Sequence, residues 1–190
     1  MKVLALGGSG GMGRYAVQYL HNIKQIEKIY VADVNSLSAK KFASHFDNRV
    51  EGLKLDIRDF ETLKSEMSKV DIVVNTTGPF FLFAEPILKA AIQTNTHYFD
   101  ICDDWEPTEK MLQMNEDAKK ANITAIIGLG ASPGLTNILA HMAISELDEV
   151  RKVYTGWDMS AAKPESESSQ SGVSAAMAVS YTHLTLPTSF

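Results

Sequence analysis

Gly8, Ser9, Gly10, Gly11, Met12 and Gly13 fit the spacing G-x-G-x-x-G, and that spacing suits a phosphate. Gly8 allows a tight turn, Gly10 lets a pyrophosphate approach the main chain with no Cβ between them, and Gly13 lets the following helix pack closely. A helix opening at that point directs unpaired N–H groups and a partial positive charge at the ligand. A glycine loop alone is weak evidence, because glycine-rich turns that bind nothing have the same look. Asp33 strengthens the reading. It lies twenty residues after Gly13, where a carboxylate accepts hydrogen bonds from the hydroxyls of an adenine ribose.

Together these residues predict a dinucleotide site for NAD or NADP. Asp33 would repel a 2′-phosphate, and Val34 and Asn35 offer no arginine to receive one, so NAD is favoured. Lys40 and Lys41 on the following helix keep NADP as the alternative. Asp56 and Ile57 follow the third apolar run and could meet the adenine amino group and ring; Asp56 reads equally well as a helix cap. Further on, Asn75, Thr76, Thr77, Gly78 and Pro79 would pass the nicotinamide ribose, Gly78 giving the cofactor room. The alternative for these hydroxyls is a helix cap. Asp100, Cys102, Asp103 and Asp104 bring carboxylates around a thiol. The reading preferred there is structural: Asp103 or Asp104 caps a helix, and Cys102 is a small buried residue. The segment 128–134 either shapes a substrate pocket or merely enters a helix. No residue is assigned a catalytic role. His21, His45, His97, His141 and His183 show no metal-ligand spacing, so no metal is expected.

Positioning these loops requires strands that end at one edge. Short runs rich in Val and Ile alternate with amphipathic stretches, which is the pattern of βαβ units on a parallel sheet. Strands are predicted over 2–6, 28–33, 52–55, 71–75, 97–100 and 124–128, and helices over 11–22, 36–45, 58–68, 83–94, 106–121 and 135–147. Pro86 and Pro107 fall in the first turns of their predicted helices, where a missing N–H is tolerated. Right-handed crossovers then give an α/β, Rossmann-like, doubly wound parallel sheet with the nucleotide across its carboxyl edge.

Residues 1–149 are read as the dinucleotide domain and 150–178 as only the start of a second α/β substrate domain, with a strand over 150–157 and a Ser- and Glu-rich loop over 161–174. Residues 179–190 are read as an artefactual tail, because 179–188 resembles one reading frame of a transposase-end sequencing adapter; the tail is excluded from fold reasoning.

Composition narrows the class of partner. A net charge of -5 and no basic stripe argue against nucleic acid and anionic membranes. Val3 to Leu6 is too short for a signal-peptide core or a membrane span. Cys102 is the single cysteine, so no intrachain disulfide can form, and a reducing, cytoplasmic location is expected.

The glycine loop, the segment Asp71-Ile72-Val73-Val74-Asn75-Thr76-Thr77-Gly78-Pro79-Phe80, then His97-Tyr98-Phe99-Asp100, then Gly128 to Gly134 with Leu135-Thr136-Asn137, in that order, resemble the saccharopine dehydrogenase family. The resemblance covers about the first 155 residues, and its N-x-x-G-P-F and G-x-x-P-G-L-[ST]-N blocks are more specific than the glycine motif. It implies an NAD(P)-dependent oxidoreductase whose Rossmann domain precedes a mixed α/β substrate domain. Members make or cleave secondary amines built from an amino acid and a carbonyl partner, moving a hydride at a C–N carbon. The implied partner is a small amino-acid-derived substrate, and a homodimer is the implied full-length assembly. The resemblance leaves cofactor choice open, since NADP-using members often carry a basic or small residue where this chain has Asp33. A nucleotide-binding regulator without turnover is the competing function, and an inactive fragment is a third.

Overall fold

The computed structural model describes residues 1–156. Thirteen elements follow one another: β1 Lys2–Leu6, α1 Gly11–His21, β2 Lys28–Asp33, α2 Ser36–Ala43, β3 Val50–Lys54, α3 Phe60–Met67, β4 Ile72–Asn75, α4 Phe80–Gln93, β5 His97–Asp100, α5 Trp105–Leu112, α6 Asn115–Lys120, β6 Ala125–Ile126 and α7 Leu135–Ser145. The strands form one sheet in the order β3-β2-β1-β4-β5-β6, and every pair is parallel. The order reverses between β1 and β4, and a ligand crevice opens at such a switch point beyond the carboxyl ends of the strands.

Alternation along β1 divides the core. Val3 and Ala5 join Val17, Ile29, Val31 and Phe42 on one face, while Leu4 and Leu6 join Leu63, Met67, Val73, Ile87 and Met111 on the other. Each fully buried aliphatic side chain in these layers contributes about 1.5–3 kcal/mol relative to exposure. Both faces of the sheet are therefore covered, as a parallel sheet requires. Helix ends carry their own local logic. Asn95 and Asn122, both at φ 53°, follow α4 and α6. Left-handed asparagines of this kind return N–H groups to the last open carbonyls: Asn95 N–H donates to Ile92 O (3.3 Å), and the next residue, Thr96, donates to Ala91 O (2.9 Å).

Several boundaries differ from those predicted. β3 begins at Val50 rather than 52, because Val50 pairs with Ile29 and sets the register. β6 holds only Ala125–Ile126 of the predicted 124–128; Gly128 turns away at φ +72° and gives its N–H to the Asp100 carboxylate instead of a ladder. α3 starts at Phe60 rather than 58, since Asp59 caps it by accepting the Thr62 N–H at 3.1 Å. α4 starts at Phe80 rather than 83, which puts Pro86 in the helix interior and not in its first turn.

The single helix predicted over 106–121 is two, α5 and α6, because Met114 N–H bonds to Met111 O across only three residues and tightens the chain there. Pro107, Met111 and Ala118 stay buried through the break, so the apolar stripe runs on across it. α1, α2 and α7 stop one or two residues short of prediction. The strand expected over 150–157 is absent through residue 156: Val150, Val153 and Tyr154 are exposed and pair with no strand among the described residues. Met1–Thr155 is one compact unit. Trp157, the loop over 161–174, the remainder of 150–178 and the tail 179–190 lie outside the described residues.

Candidate dinucleotide site

The glycine loop leaves β1 through a residue that the motif does not count. Gly7 sits at φ +68°, a left-handed conformation that side chains disfavour, and its N–H donates to Ala32 O of β2 at 3.0 Å. The signal for it was simply a glycine at the strand-loop junction. Gly8 lies so close to β1 that a Cβ would stand 2.8 Å from Ala5 O. At Gly13 a Cβ would overlap Gly7 O and stand 2.7 Å from Gly8 Cα, so helix α1 packs on the loop itself and not only on the sheet. Gly10 and Gly11 face outward: a Cβ on Gly10 would touch only Gly7 O, at 3.1 Å, and one on Gly11 would touch nothing within 4 Å. No side chain caps α1. The loop is thus an open cradle at a helix N-terminus: the Gly7 and Gly8 amides go to Ala32 O and the Gly10 amide to Gly7 O, which leaves the first turn of α1 to meet an anion.

Beside the cradle, Ser9 Oγ donates to Asp33 Oδ2 at 2.5 Å, and Asn35 N–H donates to Asp33 Oδ1 at 2.9 Å. The end of β2 is thereby fixed against the loop, with Ser9 itself buried. Arg14 Nε donates to Ser9 O at 2.8 Å, and its guanidinium lies over the Phe42 ring. Met12 is exposed at the rim. Asp56 does not cap α3. Its carboxylate binds the Arg58 side chain (2.6 Å from Nη2) and backbone N–H, which lowers its pKa to about 2. Ile57 is half-buried against the core.

Past β4, the segment expected to meet the cofactor divides in two. Asn75 lies behind the rim, fully buried: its Nδ2 donates to Tyr98 OH (3.1 Å) and its Oδ1 accepts the Thr77 N–H (3.0 Å). Thr76 Oγ1 donates to Leu6 O at 2.9 Å and ties this loop to β1. Thr77 Oγ1 is buried and has no hydrogen-bond partner among the described residues. It faces Gly7, where a Cβ would come within 3.0 Å of it. A buried orphan hydroxyl is costly, and one beside an open glycine cradle suits a ligand that supplies the partner. Gly78 has open space around its Cα, and the Gly78–Pro79 peptide is cis, as is Ser132–Pro133.

The cluster after β5 is structural in part. Cys102 is buried, and burial pushes its thiol up to about 11, which keeps it an inert thiol at neutral pH. Asp104 stands at the start of α5 but makes no side-chain cap there. Its Oδ2 accepts the Phe81 N–H of α4 at 3.0 Å, so it caps the neighbouring helix. Beyond it a groove of about 630 Å³ runs between the β5 and β6 loops, lined among others by Asp103, Trp105, Thr108, Asn137 and His141. No residue of the glycine loop lines it. Glycine cradle and groove occupy opposite halves of the carboxyl edge, with the 75–79 loop between them. Among the described residues no group of three or more His, Cys, Asp or Glu side chains could hold a metal ion.

The chain is similar to known proteins. Residues 3–126 match the family described as "Saccharopine dehydrogenase NADP binding domain". The chain belongs to that family. A saccharopine dehydrogenase [NADP(+), L-glutamate-forming] of Schizosaccharomyces pombe is 26% identical over 152 residues, covering 80% of this chain and 32% of the relative. A "Lipid droplet localized protein" of Caenorhabditis elegans is 28% identical over 139 residues, 67% of this chain and 32% of the relative. The chain thus spans about a third of the length of the curated relatives it matches. Among solved structures, apo saccharopine dehydrogenase (L-Glu forming) from Saccharomyces cerevisiae superposes with a TM-score of 0.66 at 23% identity, over 76% of this chain and 31% of that one, a likeness of fold. The expected preference for NAD gains no support here: the family description and the fission-yeast relative's name both specify NADP. No helix among the described residues is long and apolar enough to cross a membrane.

Proposed function

We propose that the chain is the cofactor-binding part of an NAD(P)-dependent oxidoreductase of the saccharopine dehydrogenase type, acting at a C–N carbon of an amino-acid-derived amine or imine. The observation that carries the reading is the open glycine cradle at the uncapped start of α1, with the orphan hydroxyl of Thr77 opposite Gly7. The residues present suit a dinucleotide. The loop Gly8, Ser9, Gly10, Gly11, Met12 and Gly13 would hold the pyrophosphate, with the amides of the first turn of α1 as donors, since those of Gly8 and Gly10 are bonded to Ala32 O and Gly7 O. Asp33 would face the adenine ribose, Asp56 and Ile57 the adenine, and Thr76, Thr77, Gly78 and Pro79 the nicotinamide end. Asn75 would act from behind by fixing the Thr77 amide. A bound nicotinamide supplies or accepts the hydride, and the chain's own part is to orient it toward the groove and keep water from its buried edge. The groove beside Trp105 and His141 is where a small amine substrate would lie. We place the protein in a reducing compartment, the cytoplasm.

Cofactor choice falls on Asp33. Both its oxygens are engaged, by Ser9 and by the Asn35 amide, which holds a negative charge where a 2′-phosphate would sit. The family description, in contrast, says NADP. Titration of the full chain with NADPH and with NADH, read by nicotinamide fluorescence, decides between them. The reading predicts saturable binding of at least one dinucleotide, and Asp33→Ala shifts the preference toward NADPH. A folded chain that binds neither would overturn it.

A further inference from the structure

A single buried relay links the loops of the carboxyl edge. Thr77 N–H donates to Asn75 Oδ1 (3.0 Å), Asn75 Nδ2 donates to Tyr98 OH (3.1 Å), and Tyr98 OH donates to Asp100 Oδ2 (2.7 Å). The other oxygen of Asp100 accepts from Cys102 N–H (3.0 Å) and Gly128 N–H (2.8 Å), while its main-chain carbonyl accepts from Leu129 N–H (2.7 Å). Asn75, Tyr98 and Asp100 are each 1% exposed or less. One carboxylate therefore closes the β5 and β6 loops, which border the groove, and through one hydroxyl it reaches the β4 loop beside the glycine cradle. Burying a carboxylate on neutral donors alone is expensive, and an apolar trio could fill the same volume without that burden. The arrangement makes sense if the relay fixes loop positions that packing alone would leave loose.

We propose that Tyr98 and Asp100 are positioning residues that couple the nicotinamide-side loop at 76–79 to the groove-side loop at 128–134. This rests on the dinucleotide reading above. Both residues are buried behind the rim; each acts through the groups it holds. In Tyr98→Phe the ring still fills its place and the two N–H bonds to Asp100 survive, so the sheet is kept and only the link is cut. Losing one net hydrogen bond's worth of loop order corresponds to a loss of about three- to tenfold in affinity.

The test is calorimetric or fluorescence titration of the full chain with NADPH and NADH, for wild type, Tyr98→Phe and Leu63→Ala. Leu63 is a fully buried core residue of α3 that makes no part of the relay, so its variant reports what lost stability alone does to binding. Wild-type binding, a three- to tenfold weaker dissociation constant in Tyr98→Phe and an unchanged one in Leu63→Ala support the inference. An unchanged constant in Tyr98→Phe, or equal weakening in Leu63→Ala, overturns it while leaving the dinucleotide reading in place. Should Tyr98→Phe fail to fold, amide exchange on the wild type replaces it: added cofactor slows the Cys102 and Gly128 amides by the same factor if Asp100 couples them, and unequal slowing overturns the coupling. A wild type that binds neither dinucleotide overturns both readings together.

Discussion

The glycines of the first loop differ in what they are for. Gly13 and Gly8 are small because backbone lies against them, Gly7 because its φ is +68°, and Gly10 and Gly11 because the space above them is open. Asp56 shows a similar division between appearance and use. It follows β3 where a cap or an adenine contact was equally legible, and it does not cap α3, pairing instead with Arg58. That pairing has a pH signature. The folded pKa, near 2, lies below the ordinary 3.8, so the contribution is present above the ordinary value and is lost as pH falls toward the folded one. Asp56→Asn is therefore expected to show a smaller fall in Tm than wild type between about pH 4 and pH 2, measured by thermal melts in matched buffers. Equal falls would refute the assignment. Asp100 runs the other way: burial raises its pKa, so its linked contribution is present below the ordinary carboxylate value and lost as pH rises through the raised one.

At the level of elements, caps decided more than propensity. Asn35 Oδ1 accepts from Leu37 and Ser38 N–H, both at 3.1 Å, and starts α2 directly after the Asp33 corner. Asn35→Ala is expected to cost about 1 kcal/mol of stability, readable as a lower urea midpoint with an unchanged slope; no shift would mean that water replaces the cap fully. The sequence announced this helix and its start at 36 with a serine as the cap; the start holds, but the cap is Asn35, one residue earlier. It did not announce that Asp104 caps α4, a bond across 23 positions, nor that Asp59 rather than Asp56 caps α3. A cap borrowed from another element is a tertiary contact, and so the start of α4 was misplaced and Pro86 with it.

Viewed as a whole, the described unit is uneven. Its sheet is buried on both sides, yet α7 has no buried residue, and Leu135, Ile138, Leu139 and Met142 are all more than half exposed. Stability should therefore reside in the sheet and α1 to α5. Leu139→Glu with Met142→Glu is expected to leave Tm within the small range of ordinary surface substitutions, about 0.5 kcal/mol, while lowering the binding of an apolar dye to the folded chain. A large loss of Tm would mean that this helix is packed in solution.

What the sequence by itself determined was local in origin: the βαβ alternation, the strands at Lys2–Leu6, Lys28–Asp33 and His97–Asp100 that the structure reproduces residue for residue, the glycine loop between β1 and α1, and, through two loop motifs, the family. These follow from period, propensity and glycine chemistry, which neighbouring residues settle among themselves. Tertiary structure alone decided which polar residues reach the rim and which brace it from behind. Asn75, read with Thr76 and Thr77 as one run of donors, turned inward to Tyr98, while Thr77 Oγ1 stayed without a partner among the described residues. The physical reason is the pleat and the register of β4 on β5. Asn75 pairs with Asp100 at the last rung, and a buried amide must find its partner there, on a strand that the sequence places 25 residues away.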